Sequence, residues 1–600
     1  MPLKLEESQE LGLKTSDLSI QELCVEVKKA SDDFAEHIQK EQAEILVETI
    51  ATAYWQKLNS EKGCSFLLNS YASKKLLETL SGSANQIATQ IGHKLSDFEV
   101  ESAAYQLGNI YTSLLPPSYR SRLGVFYTPP ALANRLLDQA ERCGVDWGSA
   151  KILDPASGGG SFLVSAIIRA LTALEGSNPL IILKNIEARV HGWELDSFAV
   201  WLSSVFIKTA CLDVSVLAKK LVKPNITHKN SIEAKLSRTR FDLVVGNPPF
   251  GRQKLSDELR ERYKNGLYGH ANIYGVFTQL AVSLTKSDGL VSFLTPASYL
   301  AGEYFKNLRK LLTTDTTPLN LDIVESRKGV FEGVLQETVL ATYKKGSSEA
   351  KLEVAVIEPT EGGGLNIAGL GGQKLPRSSS APWILARQVE DDDLACRLNR
   401  MPFRLSDWGY KISTGPLVWN RYKDQLKDRP GKNRIPLIWS ESIRPNGDFE
   451  FRYQKKNHKP FFKLTKEKDD WLVVTKSCVL IQRTTSKEQS KRLIAAELPI
   501  ELIERYGAVT VENHVNMLVP IGDEPKVPAR VVAAFLNSYA ADRAFRCISG
   551  SVAVSAYELG SMPMPDPAEL SVLKGLITRG ASKESVDKAC KKLYGMSIAI

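Results

Sequence analysis

The segment Phe241-Asp242-Leu243-Val244-Val245-Gly246-Asn247-Pro248-Pro249-Phe250 places a side-chain amide, two prolines and an aromatic ring in direct succession. Its apolar, β-branched run reads as a buried strand. Two consecutive prolines end that strand, because neither can donate a ladder hydrogen bond. The residue before each proline is driven to extended backbone. Asn247 and the carbonyl of Pro248 are thereby held in a stiff turn at a strand's C-terminal edge, where open α/β sheets keep their ligands. An amide oxygen beside a backbone carbonyl makes a pair of acceptors for an exocyclic amino group, and Phe250 supplies a face for a planar ring. This is chemistry for an amine on a flat heterocycle. A strand followed by a structural proline turn is the plainer reading of the same residues.

A second signal lies upstream. Lys151-Ile152-Leu153-Asp154-Pro155-Ala156-Ser157-Gly158-Gly159-Gly160-Ser161-Phe162 reads as a short strand and a glycine-rich turn, followed by a helix from Leu163 to Leu174. Such glycines let backbone approach a ligand closely and open onto a helix N-terminus. Alone, that turn would serve any nucleotide. The next strand, Ala188 to Leu195, leads into Glu194 and Asp196, and acids in that place bind ribose hydroxyls in dinucleotide folds.

On these residues the chain resembles the γ-class amino-methyltransferases, the S-adenosylmethionine-dependent N6-adenine DNA methyltransferases of bacterial restriction–modification systems. The resemblance runs in the family's order from Gly124 to about Lys345. Gly124-Val125-Phe126-Tyr127-Thr128-Pro129-Pro130 matches the segment that caps the methionine end of the cofactor. It implies Phe126, Tyr127 and Thr128 as cofactor residues. Asp154, Ala156 and Gly158 fall in the cofactor loop, and Glu194 takes the place of the ribose acid. Asn247, Pro248 and Phe250 match the catalytic motif, Asn247 also bordering the cofactor. Asn272 to Phe277 and Gly289 to Pro296 match the later helix and strand, and Phe331 falls where the family places a second aromatic against the target base. One position departs: after the third strand the family usually carries an acid that accepts from the adenosyl amino group, and here Asn230 takes that place. An amide oxygen still accepts, without the charge.

The resemblance implies S-adenosylmethionine as cofactor, double-stranded DNA as substrate, no metal, and a separate cognate restriction endonuclease as a possible partner. The target nucleotide must be extruded from the duplex. Cytosine N4 offers similar chemistry, but Asn at the first motif position is closer to the adenine enzymes than the Ser often found in the N4 group. Cytosine C5 chemistry would need a nucleophilic cysteine after proline, and the chain has no Pro-Cys pair. Protein-glutamine and RNA-guanine methyltransferases, a non-enzymatic specificity subunit and a fused restriction–modification enzyme are the other readings. The first two are typically compact, and the intact catalytic motif argues against a pure binding subunit. No trusted Asp and Glu-x-Lys nuclease arrangement occurs upstream.

The elements that must position these residues follow from periodicity. Residues 1–115 carry helical spacing, as in Ile45 to Trp55 and Ala103 to Tyr111, and Pro116-Pro117 closes them. Residues 116–350 alternate strand and helix patterns, so the expectation is a doubly wound, Rossmann-like α/β sheet. Residues 351–400 are glycine- and serine-rich and read as a connector, with one strand at Leu352 to Ile357. Residues 401–600 resemble an α+β target-recognition domain in segments such as Ser413 to Tyr422, Cys478 to Thr485 and Val511 to Asn516. Within it Arg421, Arg483 and Arg546 are candidate base or phosphate contacts, and His514 reads as a satisfied structural histidine.

Charge supports that division. The chain carries a formal +9, yet residues 401–600 alone sum to +10 and residues 1–100 to −6. A basic domain beside a neutral core suits a polyanion. The 8 cysteines are scattered without a C-x-x-C pair, which fits reduced thiols in a cytoplasmic protein and makes a zinc site improbable. No apolar run is long enough to span a bilayer, and the N-terminus lacks the pattern of a signal peptide.

Overall fold

The computed structural model of the chain describes residues 40–72, 82–115, 127–235, 238–324, 337–360, 363–376, 378–455, 457–484, 491–522, 524–550 and 553–597. It divides into two compact units. The first comprises Met1–Pro296, Lys310–Ala350 and Ile357–Ile367; the second comprises Ala297–Arg309, Lys351–Val356 and Ala368–Ile600.

The first unit is built on strands β1 (Ile152–Asp154), β2 (Val190–Glu194), β3 (Asn225–His228), β4 (Phe241–Gly246), β5 (Thr285–Pro296), β6 (Thr316–Val324) and β7 (Thr338–Lys345), in the order β3-β2-β1-β4-β5-β7-β6. The strands from β3 to β5 run parallel, while β7 is antiparallel to both β5 and β6. The chain order reverses at β1, which pairs with β2 on one side and β4 on the other. That switch point is where an open α/β sheet leaves a crevice beyond its strand ends. The doubly wound fold expected from the alternating pattern is therefore present.

Helices cover the sheet on two faces. In the first unit they include α1 (Lys40–Glu61), α2 (Gly82–Leu95), α3 (Val100–Leu114), α4 (Pro130–Arg142), α5 (Ser161–Ala173), α6 (Pro179–Arg189) and α7 (Ser197–Ala210). One apolar cluster joins α4 to Ile152, Leu243, Val245, Leu290 and Leu294, alternate residues that share one face of the pleat. Another joins α5, α6 and α7 to Val47, Ile50 and Tyr54 of α1 and to Ala104, Leu107 and Tyr111 of α3. The helices before residue 115 thus share a continuous core with the layer beside the sheet.

Polar ties reinforce that core. Glu48 is 1% exposed, and its carboxylate accepts from Ser70 Oγ at 2.6 Å, the Tyr71 amide at 2.7 Å and the Ala72 amide at 2.8 Å. Across the layer the Tyr71 hydroxyl lies 2.9 Å from Ser197 Oγ at the start of α7.

The stretch read as a glycine- and serine-rich connector holds more order than its composition implies. It contains strands β8 (Leu352–Pro359) and β9 (Leu365–Gln373), which continue the sheet order beyond β6 and through which the unit boundary passes. Most of β9 is exposed, and it includes Gly369, Gly371 and Gly372. Backbone pairing rather than side-chain burial makes that strand, so no hydrophobic alternation marks it.

The second unit carries β10 (Tyr410–Thr414), β11 (Leu426–Lys427), β12 (Arg434–Ile438), β13 (Phe461–Lys463), β14 (Val479–Gln482), β15 (Ala495–Glu497), β16 (Thr510–Val511) and β17 (Val515–Pro520). They form two four-stranded sheets ordered β10-β17-β14-β15 and β11-β13-β12-β16. Helices Ala529–Leu536 and Tyr539–Ile548 follow, giving the α+β character expected for residues 401–600. Among the described residues of the whole chain, no single helix is long and apolar enough to cross a membrane.

Replacing Glu48 with Ala should leave the half-buried Tyr71 and Ala72 amides without their acceptor and lower stability by about 1–3 kcal/mol. Chemical denaturation of wild-type and variant protein, followed by circular dichroism, measures this; an unchanged midpoint would show that the carboxylate does not hold the segment after α1.

Candidate active site

Beyond the C-terminal ends of β1, β2 and β4 lies a cavity of about 690 Å³. Its lining brings together Tyr127, Thr128, Asp154, Ala156, Gly158, Glu194, Asn230, Asn247 and Phe250, site candidates from five separate segments of the sequence. Pro248 is buried and does not line it, whereas Pro249 does. Phe126 and Phe331 lie outside the described residues.

The strand-turn-helix after β1 forms one wall. Asp154 ends β1 and is 1% exposed; its Oδ1 accepts from the Ala156 amide at 3.0 Å. Burial pushes its carboxyl up to about 8, the nearby Glu194 adds to this, and the Ala156 amide opposes it. A Cβ at Gly246, where β4 ends, would lie 2.6 Å from Asp154 Oδ1, so glycine there lets the two strand ends close on each other. Gly160 turns the chain into α5 with φ 89°, left-handed backbone that favours glycine.

Glu194 ties the next loop to this one. Its Oε2 accepts from the Gly158 amide at 2.8 Å, and its Oε1 accepts from the amides of Leu195 at 2.7 Å and Asp196 at 2.9 Å. Burial raises this carboxyl, and the three amides oppose the rise. Asp196 caps α7 by accepting from the Phe198 amide at 3.0 Å. After β3, the Lys229 amide donates to the Glu194 carbonyl at 2.8 Å, and the Lys229 ammonium sits 3.3 Å from the centre of the Trp193 ring. Ser231, 4% exposed, donates from Oγ to the Pro155 carbonyl at 2.6 Å, pinning this turn to the glycine loop. Asn230 faces the cavity, but its Oδ1 accepts from the Ile232 amide at 3.3 Å, so part of its acceptor capacity is spent on its own turn.

The Asn247 amide is held from one side. Its Nδ2 donates to Thr128 Oγ1 at 3.2 Å, and Thr128 is 3% exposed. That bond leaves Asn247 Oδ1 as a buried acceptor without a partner. Tyr127 Oη and Ser157 Oγ are likewise buried and unpartnered beside the cavity. Buried polar atoms are ordinarily satisfied, so a cluster of unmet ones at one cavity points to a polar ligand.

Arg252, Gln253 and Lys254 also line the cavity and are exposed at its edge. The sequence reading stopped at Phe250 and missed them. Their signal is a polar, basic triplet one glycine after an aromatic that lines the cavity.

The recognition candidates of the second unit fall differently. Arg421 is exposed in the turn Trp419–Arg421. The Arg483 amide donates to the His514 carbonyl at 2.9 Å, and its Nη1 donates to the Asn513 carbonyl at 3.2 Å. Two segments distant in sequence thus meet at one end of the β14–β17 pair. His514 Nδ1 lies 2.7 Å from Oε1 of Glu512, which is 1% exposed, so this histidine has a structural partner. Arg546 Nε donates to Asp542 at 2.8 Å along its own helix.

Comparison with known proteins gives a consistent reading. Residues 202–331, which include Asn247 to Phe250, match the Eco57I restriction-modification methylase family. The chain is 24% identical over 451 residues to the type II methyltransferase M.BsuBI of Bacillus subtilis, covering 74% of this chain and 88% of that protein. It is 26% identical over 490 residues to the type II methyltransferase M.PstI of Providencia stuartii, covering 79% and 93%. The type IIL restriction–modification enzyme MmeI, solved in complex with DNA, shares the fold at 13% identity, with a TM-score of 0.51 over 97% of both chains. These similarities support a methyltransferase of restriction–modification type, and S-adenosylmethionine is the expected cofactor. The cavity suits that group: a glycine loop for close backbone approach, carboxylates at the ends of β1 and β2, and unmet polar atoms between them.

The raised Asp154 carboxyl makes a pH prediction. Its protonated form is favoured in the fold, so its contribution is fully present below the ordinary value near 3.8 and is lost as pH rises towards 8. Without added ligand, the melting temperature should fall over that interval, and Asp154→Asn should flatten the fall. A variant whose melting temperature follows the wild-type pH curve would contradict the burial argument.

Proposed function

We propose that the protein transfers a methyl group from S-adenosylmethionine to the exocyclic N6 of an adenine extruded from double-stranded DNA, as the modification enzyme of a restriction–modification system. The observation that carries this reading is the Asn247 amide: its nitrogen is engaged by Thr128, and its oxygen is buried and unmet. An amine N–H brought to Oδ1 would satisfy it. The amino lone pair of adenine is delocalised into the ring, and accepting hydrogen bonds from N6 would localise it on nitrogen. Asn247 Oδ1 is one acceptor; the second in this reading is the carbonyl of Pro248, a residue set behind the cavity lining. When bound, S-adenosylmethionine supplies the methyl group. Phe250 offers the extruded base a stacking face, worth about 1–3 kcal/mol, against an extrusion cost of a few kcal/mol. Phe331 is the second stacking aromatic in this reading. The cofactor residues in this reading are Phe126, Tyr127, Thr128, Asp154, Ala156, Gly158, Glu194 and Asn230, with Asn247 bordering the cofactor.

Residues 401–600 act as the sequence reader, supported by their +10 charge and by the similarity in fold to an enzyme solved with DNA. Phosphate neutralisation supplies sequence-independent affinity that weakens steeply with salt, and side chains such as Arg421 supply base contacts. A cognate endonuclease would be a separate chain, and the setting would be the cytoplasm.

Asn247→Ala should lower the methylation rate by about 10²–10³, the loss seen when a catalytic hydrogen-bond partner is removed. Affinity for S-adenosylmethionine should stay near wild type. Mass spectrometry of digested DNA after reaction should find N6-methyladenine; N4-methylcytosine would move the reading to the other amino base, and full activity of the variant would remove Asn247 from the chemistry. Exchanging residues 401–600 with those of a relative should transfer the methylated sequence. Arg421→Ala should weaken binding by about 1–3 kcal/mol at the target if it reads a base. If specificity followed residues 1–115 in such exchanges, the C-terminal region would not be the reader.

A further inference from the structure

Tyr127 is 6% exposed and is clamped between two glycines from different parts of the chain. A Cβ at Gly159, in the loop after β1, would lie 2.1 Å from Cε1 of its ring, and a Cβ at Gly108, in α3, would lie 2.1 Å from Cδ1. Neither position tolerates a side chain while the ring stays in place. The residue after Tyr127 is Thr128, whose hydroxyl accepts from Asn247. One turn further along the same helix, the buried Tyr111 hydroxyl donates to Asp196 Oδ2 at 3.3 Å. Asp196 lines the cavity and follows Glu194, and it is also approached at 3.4 Å by Lys40 Nζ.

We propose that helix α3 of the N-terminal region is a working part of the cofactor site, with Gly108 and Tyr111 as positioning residues that set its two ends. Gly108 leaves the space in which Tyr127 presses on the glycine loop, and so places the segment from Tyr127 to Thr128. Tyr111 holds the turn from Glu194 to Asp196. The N-terminal helices therefore act on the cavity through two contacts made by one helix face, besides contributing to the core. This rests on the assignment of S-adenosylmethionine as the cofactor, and on nothing about which base is methylated.

Calorimetric titration of the full-length chain with S-adenosylmethionine, paired with melting temperatures, tests it. Gly92→Ala is the control: a Cβ there would lie 2.5 Å from the Ile50 carbonyl oxygen, a clash with backbone between α2 and α1 and away from the cavity. Both glycine variants should melt below wild type, and only Gly108→Ala should bind the cofactor about tenfold or more weakly. Tyr111→Phe removes one hydroxyl and keeps the ring. It should weaken binding by about threefold to tenfold, the range of one hydrogen bond, with little change in melting temperature. Wild-type affinity in both Gly108→Ala and Tyr111→Phe overturns the inference, as does an equal loss in Gly92→Ala. If Gly108→Ala does not fold, Tyr111→Phe decides alone. A wild-type chain that failed to bind the cofactor would instead overturn the cofactor assignment, and this inference with it.

Discussion

Two prolines placed straight after an amide give the site its constraint. β4 is pinned between β1 and β5, so its end is fixed by the centre of the sheet. Pro248 and Pro249 then allow neither further ladder nor helix. Asn247 is left at the edge with only its side chain free to choose a partner, and Thr128 takes its nitrogen. An amide offers a donor end and an acceptor end. Tying down the donor end determines that the cavity meets the acceptor. Without the Thr128 hydroxyl the amide could turn over and present its N–H groups to the cavity in place of its oxygen.

The turn from Asn247 to Phe250, the glycine loop and the strand-terminal Glu194 were readable in the sequence because each is a local device. Proline, glycine and a strand-terminal carboxylate act within a few residues of themselves, so their meaning is readable in place. The parallel sheet was legible for a similar reason, since buried strands such as Leu243 to Val245 are apolar on both faces. What stayed hidden depends on distant pairs. Gly108 sits inside a helical pattern, where an isolated glycine costs helix stability and signals a packing reason without naming the partner. Its partner, Tyr127, lies beyond a pair of prolines. Likewise Arg483, Asn513 and His514 gave no sign in sequence that they would meet at one sheet end. The strand β9 escaped because its glycines read as loop, while its order comes from backbone pairing.

Glu194 shows how far hydrogen-bond capacity limits what a pocket can recognise. A carboxylate has about four acceptor sites, two per oxygen. Oε1 already serves the amides of Leu195 and Asp196, and Oε2 serves Gly158. One site on Oε2 remains. A ligand with two neighbouring hydroxyls can therefore place only one of them on Glu194 without displacing a backbone amide, and its second must find another acceptor. Asp196 has spent Oδ1 on the cap of α7 and receives Tyr111 at Oδ2. Holding Asp196 from α3 thus aligns an oxygen with acceptor capacity to spare beside Glu194, at the point where Glu194 itself runs out. The same three amides that consume Glu194 also fix the loop it must reach from. Rigidity and recognition draw on one set of lone pairs, and the N-terminal helix steadies the neighbouring carboxylate where that set falls short.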